Sequence, residues 1–184
     1  DLVSDLYAVT GDILHKKGEE KEAFAAYDSC LQWKDDNVMA LNNYAYYLSE
    51  KGVDLHKAES MSYKTIKAEP NNGTYLDTYA WILFMEERYA DAKTYIDQAL
   101  KNRDSTADNS TVLEHAGDIY YMNGMADESV DFWKKAYTGE NQTEVLAWKI
   151  KNRQYITEEE LKKRNAPKQK PAATKKSVRK GKKK

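Results

Sequence analysis

Residues 41–72 read LNNYAYYLSEKGVDLHKAESMSYKTIKAEPNN, and residues 75–100 read YLDTYAWILFMEERYADAKTYIDQAL. In the first stretch Leu41, Tyr44, Ala45 and Leu48 recur at the steps that define one face of an α-helix. Gly52 interrupts this pattern, and a second helical run follows through Ala58 and Thr65 to Pro70. The second stretch repeats the scheme with Leu76, Tyr79, Ala80 and Leu83, then Ala92. Working outward, the small residue at Ala45 and Ala80 reappears as Gly11 and Gly117, so that the four are separated by 34, 35 and 37 residues. Each is followed 12 or 13 residues later by a second small residue, Ala23, Ala58, Ala92 or Ser129, and seven further on by Cys30, Thr65, Ala99 or Ala136. A period near 34 with paired small residues is that of stacked helical hairpins, each burying its apolar face only against its neighbours.

The repeats run Ser4–Asn37, Val38–Asn72, Gly73–Thr106 and Ser110–Thr143, each as helix A, turn and helix B. The slots are steric. Gly11 and Ala23 remove side chains where the two helices cross, and larger neighbours such as Leu14 and Tyr27 fill the gap. Gly18, Gly52 and Gly124 occupy one slot just after helix A, where glycine tolerates a left-handed backbone. The third repeat carries Glu87 there, which predicts a costlier turn. Cys30, the single cysteine, falls on a small-residue slot and reads as a packed thiol.

Leu113, Gly117, Tyr120, Ser129 and Trp133 in the fourth repeat, with Leu76, Ala80, Ala92 and Ile96 in the third, follow a known pattern. On these residues the chain, from Ser4 to Thr143, resembles tetratricopeptide-repeat (TPR) proteins, and the two quoted stretches resemble bacterial members of the Bacteroidetes type. It departs from the pattern at the opening tryptophan, absent from every repeat, and at the closing proline, present once as Pro70. The resemblance implies an all-α, right-handed superhelical solenoid of about four repeats with a C-terminal capping helix. It implies a non-enzymatic protein-interaction scaffold whose concave wall is built mainly by helix A. The peptide-binding groove residues it points to are Asp12, Asn43, Tyr46, Asp77, Trp81, Glu114, Asp118 and Tyr121. One helix-A slot reads Asp12, Tyr46, Trp81 and Asp118, so the groove is expected to be aromatic in the middle and acidic at both ends. Such a groove favours a protein or peptide segment that is cationic, with apolar or proline anchors. One TPR subfamily clamps a C-terminal carboxylate. Asn43 matches one clamp slot, but Ala8 and Asp12 stand where lysine and asparagine are needed, so that activity is not expected.

Other chemistry finds little support. His15, His56 and His115 make no helical metal pair, and no nucleophile elbow, phosphate loop or dinucleotide fingerprint occurs. No enzyme activity, cofactor, metal or small-molecule substrate is expected. Val145, Leu146, Trp148 and Ile150 give 142–152 an apolar face suited to capping the array, which is taken as residues 1–156. Thr157 to Glu160 reads as a capped helix start, and 157–165 as a short helix. Residues 1–165 hold 20 Lys and Arg against 30 Asp and Glu, whereas 166–184 hold nine basic residues and no acid. That tail is expected to be disordered and able to touch anionic surfaces. Its KPAATKK run resembles a nuclear-import signal, which has meaning only in a eukaryote. Bacterial periplasm or a membrane-associated setting is favoured over cytoplasm. Leu2, Leu6 and Val9 leave apolar residues on the first helix, so self-association through the N-terminal edge is expected as one use of it. Because the chain starts without Met, the same edge also fits the C-terminal repeat portion of a larger enzyme or assembly machine. A tail-mediated nucleic-acid or membrane adaptor is the remaining alternative.

Overall fold

The computed structural model describes residues 2–104 and 107–166. The segment read as a disordered tail lies outside the described residues beyond Ala166. Among the described residues the regular structure is all helical. Helices α1 (Leu2–Lys16) and α2 (Glu20–Trp33) form the first hairpin, and α3 (Val38–Lys51) and α4 (Leu55–Ala68) the second. Helices α5 (Gly73–Met85) and α6 (Tyr89–Asn102) form the third, and α7 (Ser110–Met122) and α8 (Ala126–Ala136) the fourth. A 3-10 turn at Gly139–Asn141 leads into α9 (Glu144–Asn152), and α10 (Glu158–Asn165) follows.

The turn inside each hairpin is one motif used four times. Residues Gly18, Gly52, Glu87 and Gly124 all have positive φ, at 79°, 63°, 61° and 79°. The next backbone N–H reaches five residues back, from Glu19 to Leu14, Val53 to Leu48, Arg88 to Leu83 and Met125 to Tyr120, at 2.9–3.1 Å. This satisfies carbonyls that the end of helix A would leave orphaned. Glu87 therefore adopts the left-handed backbone its slot demands, a conformation that costs an ordinary L-residue roughly 1–2 kcal/mol. Between hairpins, side chains close the helix starts. The Asn37 carbonyl accepts from Ala40 N at 3.1 Å, and its Nδ2 donates to Ser4 Oγ at 2.9 Å, joining α1 to α3. Asn72 caps α5 and Thr143 caps α9. Thr157 and Glu160 form a reciprocal capping box on α10.

The two glycines at the helix crossings work with aromatic residues opposite. A Cβ on Gly11 would lie 2.8 Å from the Tyr27 ring, and one on Gly117 would fall inside van der Waals contact with the Trp133 indole. Tyr27 and Trp133 are fully buried in those gaps. Repeats two and three carry Ala45 and Ala80 instead, and their corresponding helix-B slots hold Ser62 and Ile96. Glycine faces a ring in repeats one and four, whereas alanine faces Ser62 or Ile96 in repeats two and three, so a methyl group on one side goes with loss of the ring on the other. Cys30 is buried with its Sγ 3.1 Å from Ser4 Oγ. At the C-terminal end Leu146 of α9 packs with Val130, Trp133 and Ala136 of α8, which closes the last hairpin.

Candidate functional site

Helices α1, α3, α5 and α7 are neighbours in order and form one wall. Two connected cavities run along it, sharing Tyr46 and Thr111. The first, about 550 Å³, is lined by carboxamides and small polar groups, among them Asn42, Asn43, Asn72, Thr74, Thr78 and Asn109. The second, about 980 Å³, is lined by Glu50, Trp81, Met85, Glu114, His115 and Asp118, and on its far side by Lys149, Tyr155, Ile156 and Leu161.

At the junction His115 Nδ1 lies 3.0 and 3.1 Å from the two carboxylate oxygens of Asp77. The imidazole stacks on Trp81 at 4.1 Å between centroids, and Trp81 in turn stacks on Phe84 at 4.8 Å. Tyr46 sits 6.2 Å from the same imidazole. Burial disfavours the charged ring, but the Asp77 carboxylate, aided by Asp118 and Glu50, outweighs it and raises the His115 pKa above its usual value. Burial, with Glu50 and Asp77 nearby, also pushes the Tyr46 hydroxyl far up, so it stays a neutral donor. Two buried polar atoms on this wall, Asn42 Oδ1 and Trp81 Nε1, have no hydrogen-bond partner among the described residues.

The acids at the two ends differ from the expectation of free groove charges. Asp12 accepts from the Tyr27 hydroxyl and from Asn43 Nδ2, the latter at 3.0 Å. Asp118 accepts from Trp133 Nε1 at 2.8 Å and is gripped through both oxygens by Lys149 Nζ at 2.8 Å. Glu114 takes the same ammonium at 3.1 Å and Asn141 Nδ2 at 3.1 Å. The reason is steric. Gly11 and Gly117 let a helix-B aromatic reach through to the wall, and the aspartate one residue after each glycine receives its polar hydrogen. Burial pushes the Asp118 carboxyl up, with Lys149 pulling the other way. Tyr121 lies against Trp133 at 5.8 Å and Tyr155 at 6.5 Å, so it is walled by α8 and the C-terminal segment.

Thus the structure gathers Asn43, Tyr46, Asp77 and Trp81 around the open wall, with Glu114 and Asp118 under Lys149, and Asp12 and Tyr121 used in packing. Reading the chain alone placed Asn42 on the inner face of helix A and missed Lys149, Tyr155, Asn72 and Asn109. Lys149 had one visible signal, since it shares a helical face with Leu146. Among the described residues no group of three or more His, Cys, Asp or Glu side chains is placed to hold a metal.

No family model matches the chain. A TPR repeat-containing protein of Pseudomonas aeruginosa is 35% identical over 66 residues, covering 36% of this chain. The chain spans 11% of the length of that relative. The solved structure of PilF from Pseudomonas aeruginosa superposes with a TM-score of 0.69 at 17% identity, over 83% of this chain and 68% of that one. The chain is a tetratricopeptide-repeat solenoid. PilW, described as a widely conserved type IV pilus biogenesis factor, matches with a TM-score of 0.66 at 17% identity, over 74% of this chain and 62% of that one. YrrB, described as a TPR protein with an unusual peptide-binding site, matches with a TM-score of 0.56 at 18% identity, over 80% of this chain and 74% of that one. In this TPR solenoid the wall of A helices is the surface to which the polar and aromatic groups above belong.

Proposed function

We propose that this TPR protein is a non-catalytic interaction scaffold that holds an extended peptide segment of a protein partner along the wall of α3, α5 and α7. The observation that carries the reading is the pair of buried, unpartnered polar atoms, Asn42 Oδ1 and Trp81 Nε1, on residues that line the connected cavities. An unsatisfied buried acceptor and donor each cost about 1–3 kcal/mol, a penalty that a ligand with both N–H and C=O groups removes. A peptide backbone has both at every residue, and side-chain carboxamides present both in return. The aromatic half, with Tyr46, Trp81 and Met85, supplies the apolar surface that anchors side chains.

The occupant is a basic segment with apolar or proline anchors. Carboxylates line both cavities, with Asp108 on one and Glu50 and Glu144 on the other. They steer a cation even though Asp77, Glu114 and Asp118 are already paired. YrrB is described as having a peptide-binding site, and the pilus-biogenesis role of PilW agrees with a periplasmic or membrane-associated setting. Among the described residues no helix is long and apolar enough to cross a membrane. The test is a peptide selection on the whole chain, followed by titration of the best peptide into wild type, Tyr46→Ala and Asn42→Ala. Each substitution is expected to weaken binding tenfold or more, about 1.4 kcal/mol. Unchanged affinity in both, with helicity intact, refutes the groove assignment.

A further inference from the structure

Helix α1 leaves Leu2, Leu6, Val9 and Ile13 exposed. At 100° per residue these four lie within about 60° of arc, so they form one stripe. Val3 and Tyr7 are also exposed, but at about 90° and 130° around the helix from the centre of the stripe. The other repeats show what such positions pack against. Ile13 is 49% exposed, whereas Ile82 and Ile119, which hold its place in repeats three and four, are 0% exposed. Leu6 corresponds to Ala40, likewise 0% exposed. In those repeats the preceding helix B packs on helix A, through the α2–α3, α4–α5 and α6–α7 contacts. The stripe on α1 is therefore built to receive a helix with an apolar face.

We propose that the helix it receives is α1 of a second copy, antiparallel, around a two-fold axis. The spacing Leu2, Leu6, Val9, Ile13 runs four, three, four residues, and reads the same in both directions. Reversal places Leu2 opposite Ile13 of the other copy, and Leu6 opposite Val9. A two-fold contact requires such self-complementarity, because residue i meets residue j on both sides at once. Charge agrees with the direction. Asp5 lies in the first turn of α1 and Lys16 in its last, so antiparallel pairing sets the acidic end beside the basic end and opposes the two helix dipoles. Head-to-tail stacking onto α8 is blocked, since Leu146 of α9 already covers that end. The area is modest. The four side chains of the stripe offer on the order of 400 Å² of apolar surface, within the range of patches on ordinary monomers. Two copies then bury roughly 800 Å², below the roughly 1,000 Å² of a stable specific interface, so the dimer is weak and depends on concentration.

Sedimentation velocity of the whole chain over a roughly hundredfold range of concentration reads this out. Wild type is expected to shift from monomer to dimer as concentration rises. Leu6→Glu, at an exposed position, is expected to keep its helicity by circular dichroism and remain monomeric. Val9→Lys is expected to do the same. Combining Leu6→Glu with Val9→Lys sets opposite charges across the two-fold axis and is expected to restore the dimer. A wild-type chain that is monomeric at every concentration overturns the proposal. So does a dimer that survives both single substitutions, or a double variant no more associated than either one alone.

Discussion

Gly117→Ala offers the sharpest test of the packing logic. In an open helix this change stabilises by about 1 kcal/mol, because alanine is the better helix former. Here the new methyl group would land against Trp133, whose Cγ is 3.0 Å away and whose nearer ring atoms overlap it outright. The indole cannot swing aside freely. It is fully buried, and its Nε1 donates to Asp118 at 2.8 Å, which Lys149 holds from the other side. Overpacking of this kind costs typically 1–3 kcal/mol, and strain on a hydrogen bond to a charged group adds about 1.5–3 kcal/mol if the bond is lost. After subtracting the helix gain, Gly117→Ala is expected to destabilise by about 1.5–5 kcal/mol, read as a shift in the urea midpoint followed by circular dichroism. The third repeat supplies the control, since alanine there goes with Ile96. Gly117→Ala combined with Trp133→Ile should therefore cost less than the two single changes summed, by at least about 1 kcal/mol of coupling. A stabilised Gly117→Ala variant, or strict additivity in the cycle, would refute the claim that the ring fills the space the glycine leaves.

Other consequences follow from single residues. Glu87→Gly removes a left-handed L-residue at the turn after α5 and is expected to stabilise by about 0.5–1 kcal/mol in the same urea assay, the left-handed relief exceeding the added backbone entropy of glycine. Lys149→Met strands Asp118 and Glu114 without their shared cation and is expected to cost about 3–5 kcal/mol, with recovery when Asp118→Asn is added. The raised pKa of His115 means its protonated form is favoured by folding, so its contribution is complete below pH 6.5 and is lost as pH rises through the folded value. Proton NMR should place the His115 midpoint above 6.5, and Asp77→Asn should bring it down. A midpoint below 6.5 in wild type would show that burial, not Asp77, governs the ring.

The repeat was legible because steric slots leave a mark in sequence. Gly11, Ala45, Ala80 and Gly117 must be small wherever helix A crosses helix B, and Gly18, Gly52 and Gly124 must tolerate positive φ. Even the exception at Glu87 could be located, since the slot is defined by its neighbours. The wall was harder to read. Slot position indicates that Asp12 and Asp118 lie on helix A but not that a helix-B aromatic reaches them. The clue was the pairing of Gly-Asp with Tyr27 or Trp133 in repeats one and four only. Lys149 was hidden for a similar reason. A lysine next to apolar residues reads as solvated unless its buried acids are known, and those lie over thirty residues earlier. Periodicity also cannot tell which of several asparagines keeps an unpaired oxygen. That depends on three-dimensional neighbours, and it singled out Asn42.

The proposed binding surface is the wall of A helices. Amide and side-chain NMR shifts of the whole chain, recorded while a selected basic peptide is titrated in, test it most directly. The largest changes are expected on Asn42, Asn43, Tyr46, Trp81 and the Trp81 indole N–H, with α2, α4 and α6 nearly silent. Changes confined to the outer helices, or a Trp81 indole signal unmoved at saturation, would contradict it.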